Sequence, residues 1–451
     1  MPFHPMRNIL IIGAGRSASS LIKYLIDHAA AEQWYLTVAD RDENAARALV
    51  DGAGTAASAL ALDAGNAEQR AKAIGDHDLV ISMLPASMHM DVVKDCLRLR
   101  RHVITPSYVP DALWAMDADL KDVGIVALNE LGLDPGIDHM SAMRILDRMK
   151  AAGGKVLAFE SYCGGLVAPA SDDNPWGYKF SWNPRNVVLA GQGAAARYVQ
   201  DGQLRYIPYH RLFSNQVRVE VPGYGAFDGY ANRDSLKYRK LYGIEQIPTL
   251  VRGTLRREGF CEAWDCFVQL GCTDDSYAME LPEAMTWAGF FGAFLPAGAH
   301  REMRDVLARY LGLDAGGATL NKLEWLGVFS DEPANASPGS PAAILQQLLE
   351  RKWVLRPEDK DMVVMQHLFL HEEGGRRLRT TSSLVVEGTD RVHTAMARTV
   401  GLPVAMAARL LLNGGITDRG VLLPLKPALY DPILDELEGL GVRFEESVEA
   451  V

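Results

Sequence analysis

Gly13, Gly15 and Ala18 follow directly on the apolar run Ile9 to Ile12 and make a G-x-G-x-x-A pattern. At a strand-to-helix junction that spacing suits a dinucleotide. Gly13 permits a tight turn, Gly15 lets a pyrophosphate come close to the backbone, and Ala18 is small enough for the helix to pack on the strand. A helix over Arg16 to Ala29 would then present its free N–H groups and positive dipole end to the phosphates. Asp40 stands 27 residues after Gly13, at the end of the next apolar run. An acidic side chain there accepts hydrogen bonds from the adenosine ribose. It also repels a 2′-phosphate, whereas Arg41 beside it attracts one, and on this balance the expected cofactor leans to NAD over NADP. The alternative for Asp40 is a cap on the helix that starts near Glu43.

The elements that must carry these residues alternate along the chain. Ile9 to Ile12, Leu36 to Ala39, Leu60 to Leu62, Leu79 to Leu84, His102 to Ile104 and Ile125 to Leu128 read as strands, with amphipathic segments between them. Several are apolar at successive positions, so both faces are covered and the sheet is parallel. From Lys155 the chain turns to Gly-rich and aromatic-rich loops, which marks a second domain. The segment from Glu262 to about Lys352 has helical periodicity, with a loop over Ser330 to Pro341. Met362 to Leu370 and Arg377 to Val386 flank Glu372-Glu373-Gly374-Gly375, a hairpin signature expected to join the second domain's sheet. Thr394 to Asn413 and Asp431 to Leu440 read as helices.

Composition excludes several classes. The chain has 451 residues, 48% hydrophobic and 23% charged, so it buries a large core and three or so domains are expected. With 46 Lys and Arg against 57 Asp and Glu, the net charge of −11 argues against a nucleic-acid partner. Cys96, Cys163, Cys261, Cys266 and Cys272 form no C-x-x-C and suit neither a metal site nor a disulfide framework, so a reducing cytoplasm is the expected compartment. The apolar run before Gly13 is too short for a signal-peptide core. The uncharged stretch Ala284 to Ala299 is short for a membrane span and is interrupted by Pro296, so a buried helix is expected there and no membrane.

Longer motifs carry a resemblance. Asn129 to His139, Ser161 to Gly165, Asp173 to Trp182, Asn232 to Ser235, Arg252 to Arg256, Lys360 to Val364 and Tyr430 to Leu434 are similar to segments of the glutamate-forming saccharopine dehydrogenases, also called saccharopine reductases. The likeness spans nearly the whole chain and is weakest from about Phe290 to Leu349. It implies an α/β architecture of three parts. A variant Rossmann domain takes residues 1–135 with about 400–451 returning to it. A mixed α/β domain for substrate and dimerisation takes 136–261 and 357–399, and a mainly helical lobe takes 262–356. It also implies a reaction: nicotinamide-dependent oxidation of saccharopine, a secondary amine, to an imine that water splits into glutamate and 2-aminoadipate 6-semialdehyde, or the reverse, in a homodimer.

That chemistry needs cations for three substrate carboxylates and a base for the ammonium proton. The resemblance assigns substrate contacts to Ser107, Tyr108, Asp134, Arg233, Thr254, Leu255 and Arg256, the two arginines gripping carboxylates. It assigns the cofactor to Gly13, Ala14, Gly15, Arg16, Ser17, Asp40, Arg41, Asp42, Asp63, Ala64, Leu84, Pro106, Ser107, Leu133, Asp134, Pro135 and Asn183. Asp40 replaces a neutral residue of the NADP-using pattern, which strengthens the lean to NAD. For the base the candidates are Tyr108, Asp134, Glu130, Lys179 and His139. Asp134 and Tyr108 are preferred. The others have plain alternatives: Glu130 in an ion pair, Lys179 as a solvated charge, His139 on the first turn of a helix. Two other functions stay open: a related reductive amination such as that of carboxynorspermidine dehydrogenase, and a non-catalytic dinucleotide-binding redox sensor.

Overall fold

The computed structural model describes residues 6–296 and 303–451. They fall into two compact units, one running to Gly154 and taking in Leu384–Glu445, the other formed by Lys155–Ser383 and the residues from Glu446 onward.

The first unit is built on a parallel sheet. Strands β1 (Arg7–Ile12), β2 (Trp34–Asp40), β3 (Ala57–Ala61), β4 (Leu79–Ser82), β5 (His102–Ile104) and β6 (Val126–Leu128) lie in the order β3-β2-β1-β4-β5-β6, with Gly420–Leu422 added in parallel beside β6. Ile9, Leu10, Ile11 and Ile12 are all essentially buried, as expected for a strand covered on both faces. The first helix runs over Ser19–Glu32, three residues later than the pattern suggests. Gly15 to Ala18 form a turn instead, closed by Ala18 N–H to Gly15 O at 3.0 Å.

The expected domain borders differ from these units for identifiable reasons. Helix Ile137–Ala151 stays with the first unit because it is tied to helix Pro427–Gly439: Arg144 pairs with Asp431 at 2.9 Å and Asp435 at 2.8 Å, and Tyr430 donates to Asp147 at 2.5 Å. Helix Ala395–Leu412 is, by length and composition alone, the one described helix that could cross a membrane, yet 72% of it is buried in the fold. It packs on Ser19–Glu32 so closely that a Cβ on Gly401 would meet Leu21 N at 2.8 Å.

In the second unit, β7 (Lys155–Val167), β8 (Ala196–Gln200), β9 (Gln203–Ile207), β10 (Val217–Val221), β11 (Gly225–Ala231), β12 (Thr249–Arg257), β13 (Asp361–Glu373) and β14 (Arg376–Glu387) form a mixed sheet in the order β10-β11-β12-β7-β13-β14, ending on strand Phe444–Ala450, with β8 paired to β12 and β9 paired to β8. The β13–β14 turn has Gly374 at φ 57° and Gly375 at φ 75°, the two positive values a tight two-residue hairpin requires. The helices Phe260–Leu270, Trp287–Gly292, Met303–Leu311, Ala318–Leu326 and Pro341–Lys352 lie where a helical lobe is expected. They do not form a third unit, because their apolar faces share one core with Trp176, Tyr178 and Phe180. Of the uncharged stretch 284–299, the helix Trp287–Gly292 is described, and 297–299 lie outside the described residues.

Candidate active site

Seventeen positions are expected to touch a dinucleotide, and sixteen of them lie in the first unit, at or just beyond the carboxyl ends of its parallel strands. That is the edge at which open α/β sheets bind ligands. Gly13 follows β1 with φ 111°, and a Cβ there would come within 2.9 Å of Met83 O. Its N–H donates to Ala39 O at 2.8 Å, so the turn is fixed to β2. A Cβ on Gly15 would meet only open space, and Gly15 and Arg16 are exposed, which leaves room for a phosphate over the turn. The residues present fit a dinucleotide.

Asp40 has a use that the pattern does not reveal. Its Oδ2 accepts from Ala14 N–H at 2.7 Å and its Oδ1 from Asp42 N–H at 3.0 Å. The carboxylate therefore braces the Gly-rich turn from the end of β2, and two backbone dipoles face its charge. Capping of helix Glu43–Val50 falls to Asp42, which accepts from Asn44 N–H at 3.0 Å. Arg41 is exposed and makes no ion pair among the described residues. Past β3, Asp63 accepts from Gly65 N–H at 3.0 Å, and the carbonyl of buried Ala64 accepts from Arg70 at 2.6 Å. Leu84 and Pro106 are half-buried past β4 and β5.

The loops after β5 and β6 bring the two preferred catalytic residues together. Tyr108 Oη donates to Asp134 Oδ1 at 2.8 Å. Behind that pair, Glu130 is buried and joins the loops: Oε1 accepts from Val109 N–H at 3.0 Å, Oε2 lies 2.7 Å from His139 Nε2, and its N–H donates to Ser107 O at 3.1 Å. Leu133, Asp134 and Pro135 are held in a tight turn by Gly132 N–H to Pro135 O at 2.8 Å and Ile137 N–H to Gly132 O at 2.9 Å. A Cβ on Gly136 would overlap Gly132 at 2.0 Å, so this turn admits only glycine there. Glu130 and His139 thus hold each other, and His139 does sit on the first turn of helix Ile137–Ala151.

One participant in this edge escapes the sequence. His89, the first residue of helix His89–Leu99, is buried between Ser82 Oγ at 2.8 Å and Ser107 Oγ at 2.7 Å. Burial pushes its imidazole down to about 4, so it is neutral at pH 7.

The expected carboxylate receivers lie in the second unit. Arg256 on β12 is 4% exposed and pairs with no carboxylate of the described residues. Its guanidinium lies 5.3 Å from the ring centre of Tyr178, 5.6 Å from Phe260 and 5.9 Å from Tyr230. Nη1 donates to Leu255 O at 2.9 Å, and Nε has no hydrogen-bond partner. A buried guanidinium in an aromatic cage without a counterion is suited to an anion brought by a ligand. Arg233 is exposed and takes φ 46°, in a segment stitched by Arg197 N–H to Arg233 O at 2.7 Å and Asn232 N–H to Arg252 O at 2.7 Å. Thr254 is half-buried and Leu255 buried on the same strand as Arg256. Asn183, the one cofactor position in this unit, is exposed and caps helix Pro184–Val188. Lys179 is not a solvated charge: it is 3% exposed and pairs with Asp359 at 2.7 Å and Asp173 at 2.9 Å. A concavity of about 530 Å³ elsewhere in this unit, lined by Glu160, Tyr162 and Gln366 among others, contains none of the expected residues.

A parallel sheet in the order 3-2-1-4-5-6 with a glycine turn after its first strand defines a Rossmann-type dinucleotide-binding protein. The chain belongs to the saccharopine dehydrogenase family: residues 9–128 match the saccharopine dehydrogenase NADP binding domain and 132–442 the saccharopine dehydrogenase C-terminal domain. It is 36% identical to saccharopine dehydrogenase [NADP(+), L-glutamate-forming] of Pyricularia oryzae, over 98% of this chain and 99% of that protein. To the enzyme of the same name from Saccharomyces cerevisiae it is 36% identical, over 98% of this chain and all of that one. The apo structure of the Saccharomyces cerevisiae saccharopine dehydrogenase (L-Glu forming) superposes with a TM-score of 0.86 over 98% of this chain and 100% of that one, at 36% identity. The lean to NAD finds no support in these relatives, whose names specify NADP(+). Asp40, on which that lean rested, has its carboxylate engaged by the backbone of its own turn.

Proposed function

We propose that this chain is an NADP-dependent oxidoreductase that interconverts saccharopine and water with L-glutamate and 2-aminoadipate 6-semialdehyde. The observation that carries the reading is the likeness to enzymes named for this activity, at 36% identity over 98% of the chain. The bound dinucleotide supplies the hydride acceptor, or the donor in reverse. Gly13 to Ser17, with the N-terminal turn of the following helix, receive its pyrophosphate. Arg41 is open to a 2′-phosphate, and its neighbour Asp40 is already engaged by two N–H groups.

The chain's own residues have three tasks. Arg256 takes a substrate carboxylate into its aromatic cage, and Arg233 takes another. The Tyr108–Asp134 pair removes the ammonium proton, since hydride leaves carbon only when the secondary amine is neutral. The same pair then hands protons to and from the water that adds to the imine carbon, with C–N cleavage releasing glutamate. Glu130, His139 and the Gly132–Gly136 turn keep the pair in place. Kinetics with saccharopine and each nicotinamide cofactor test the reading. Strong preference for NADP is expected, and preference for NAD overturns the cofactor assignment.

The same reading carries a homodimer, for which the exposed Leu204, Tyr206 and Val217 of the second unit offer apolar surface; light scattering of the purified protein tests it. It also carries a reducing cytoplasm, in keeping with five free thiols; cell fractionation tests that.

A further inference from the structure

His89 is a buried ring whose two nitrogens both end on hydroxyl groups, and one of those hydroxyls belongs to a residue at the ligand-binding edge. Nδ1 is 2.8 Å from Ser82 Oγ at the end of β4, and Nε2 is 2.7 Å from Ser107 Oγ past the end of β5. Thr105 Oγ1 stands 3.2 Å from the same Nε2. The backbone of Ser107 is already engaged on both sides: its N–H donates to Thr105 Oγ1 at 3.3 Å, and its carbonyl accepts from Glu130 N–H at 3.1 Å. The hydroxyl is the side-chain group that Ser107 brings to the edge, and its contact with His89 Nε2 restricts how it is oriented.

A neutral imidazole has one donor nitrogen and one acceptor nitrogen, so its tautomer sets the sense of both contacts. In the tautomer with Nδ1–H donating to Ser82, Nε2 accepts from the Ser107 hydroxyl, and Ser107 Oγ then presents only lone pairs to the site.

We propose that His89 takes this tautomer and is a positioning residue for the reaction: it holds the Ser107 hydroxyl as an acceptor for an N–H group of the bound reactants, the amine of the substrate or the carboxamide of the nicotinamide. The proposal rests on the saccharopine reading. A purely structural His89 would hold the ends of β4 and β5 together without acting through Ser107.

A double-mutant cycle on the full-length enzyme separates these roles. His89→Phe keeps a ring and removes both nitrogens, and Ser107→Ala removes the hydroxyl. Each is expected to lower kcat/KM for saccharopine about tenfold, the size of one lost hydrogen bond, and the double variant is expected to be no worse than either alone. His89→Gln, which can still accept from Ser107, is expected to recover most of the loss, and it replaces His89→Phe in the cycle if that variant does not fold. A raised KM for saccharopine with unchanged dinucleotide Kd identifies the amine as the N–H group; a raised dinucleotide Kd identifies the carboxamide. Losses that multiply in the double variant, or a His89→Phe enzyme within twofold of the unmodified one, overturn the proposal while leaving the saccharopine reading intact. No turnover of saccharopine by the unmodified protein overturns both.

Discussion

The phenol of Tyr108 donates a 2.8 Å hydrogen bond to Asp134 Oδ1, joining the loop after β5 to the loop after β6. Two groups that share a proton in this way act as one acid–base unit. Tyr108→Phe and Asp134→Asn should each lower kcat by about 100-fold, the scale of general acid–base catalysis. The double variant should fall little further, because residues that work as a unit lose their effect together. Multiplying losses in steady-state kinetics would show two independent roles.

Arg256 gives a prediction in which stability and activity part. Removing a buried charge that lacks a partner relieves a desolvation cost, so Arg256→Met should keep or raise Tm. KM for saccharopine should rise by about 10- to 100-fold, the range for a hydrogen bond to a charged group, with dinucleotide Kd unchanged. A large fall in Tm with KM intact would make Arg256 a structural residue.

At the end of β2 the two neighbours should separate cleanly. Arg41→Ala should weaken NADP binding by about tenfold and leave NAD binding nearly unchanged, as expected for one lost phosphate contact. Asp40→Ser loosens the Gly-rich turn, whose Ala14 N–H loses its acceptor, and should weaken both cofactors. Fluorescence titration with each dinucleotide decides it. A gain in NADP affinity on Asp40→Ser would mean that the carboxylate does face the ribose.

His89 makes stability depend on pH. Its folded-state value is pushed from 6.5 down to about 4 by burial. The neutral ring therefore contributes full stability above pH 6.5, and the contribution falls as pH drops from 6.5 towards about 4, by about 3 kcal/mol in total. Urea unfolding measured across that range should show the slope, and His89→Gln should flatten it. An unchanged slope would place the titration elsewhere.

What the sequence made legible was local. Four successive apolar residues before a glycine identified β1, and Glu372-Glu373-Gly374-Gly375 identified the β13–β14 turn, because strand burial and turn chirality are written in adjacent residues. The helix start was not, since Ala18 offers no capping side chain and Ser19 follows a turn that is closed by backbone alone. The contacts that the sequence did not show join residues far apart in the chain. Asp40 bonds to Ala14, 26 positions away, Lys179 to Asp359, 180 positions away, and His89 to Ser107, 18 positions away. The stretch Trp176, Tyr178, Phe180 carried the family resemblance, and in the fold it is core, with Tyr178 also forming one wall around Arg256.

The account is tested most directly by following reduced-nicotinamide absorbance while the purified protein meets saccharopine and NADP, with glutamate assayed in the same sample. It predicts that absorbance rises with one glutamate formed for each dinucleotide reduced, and that NAD supports the reaction far less well. No absorbance change with either cofactor, or reduction without glutamate, would contradict it.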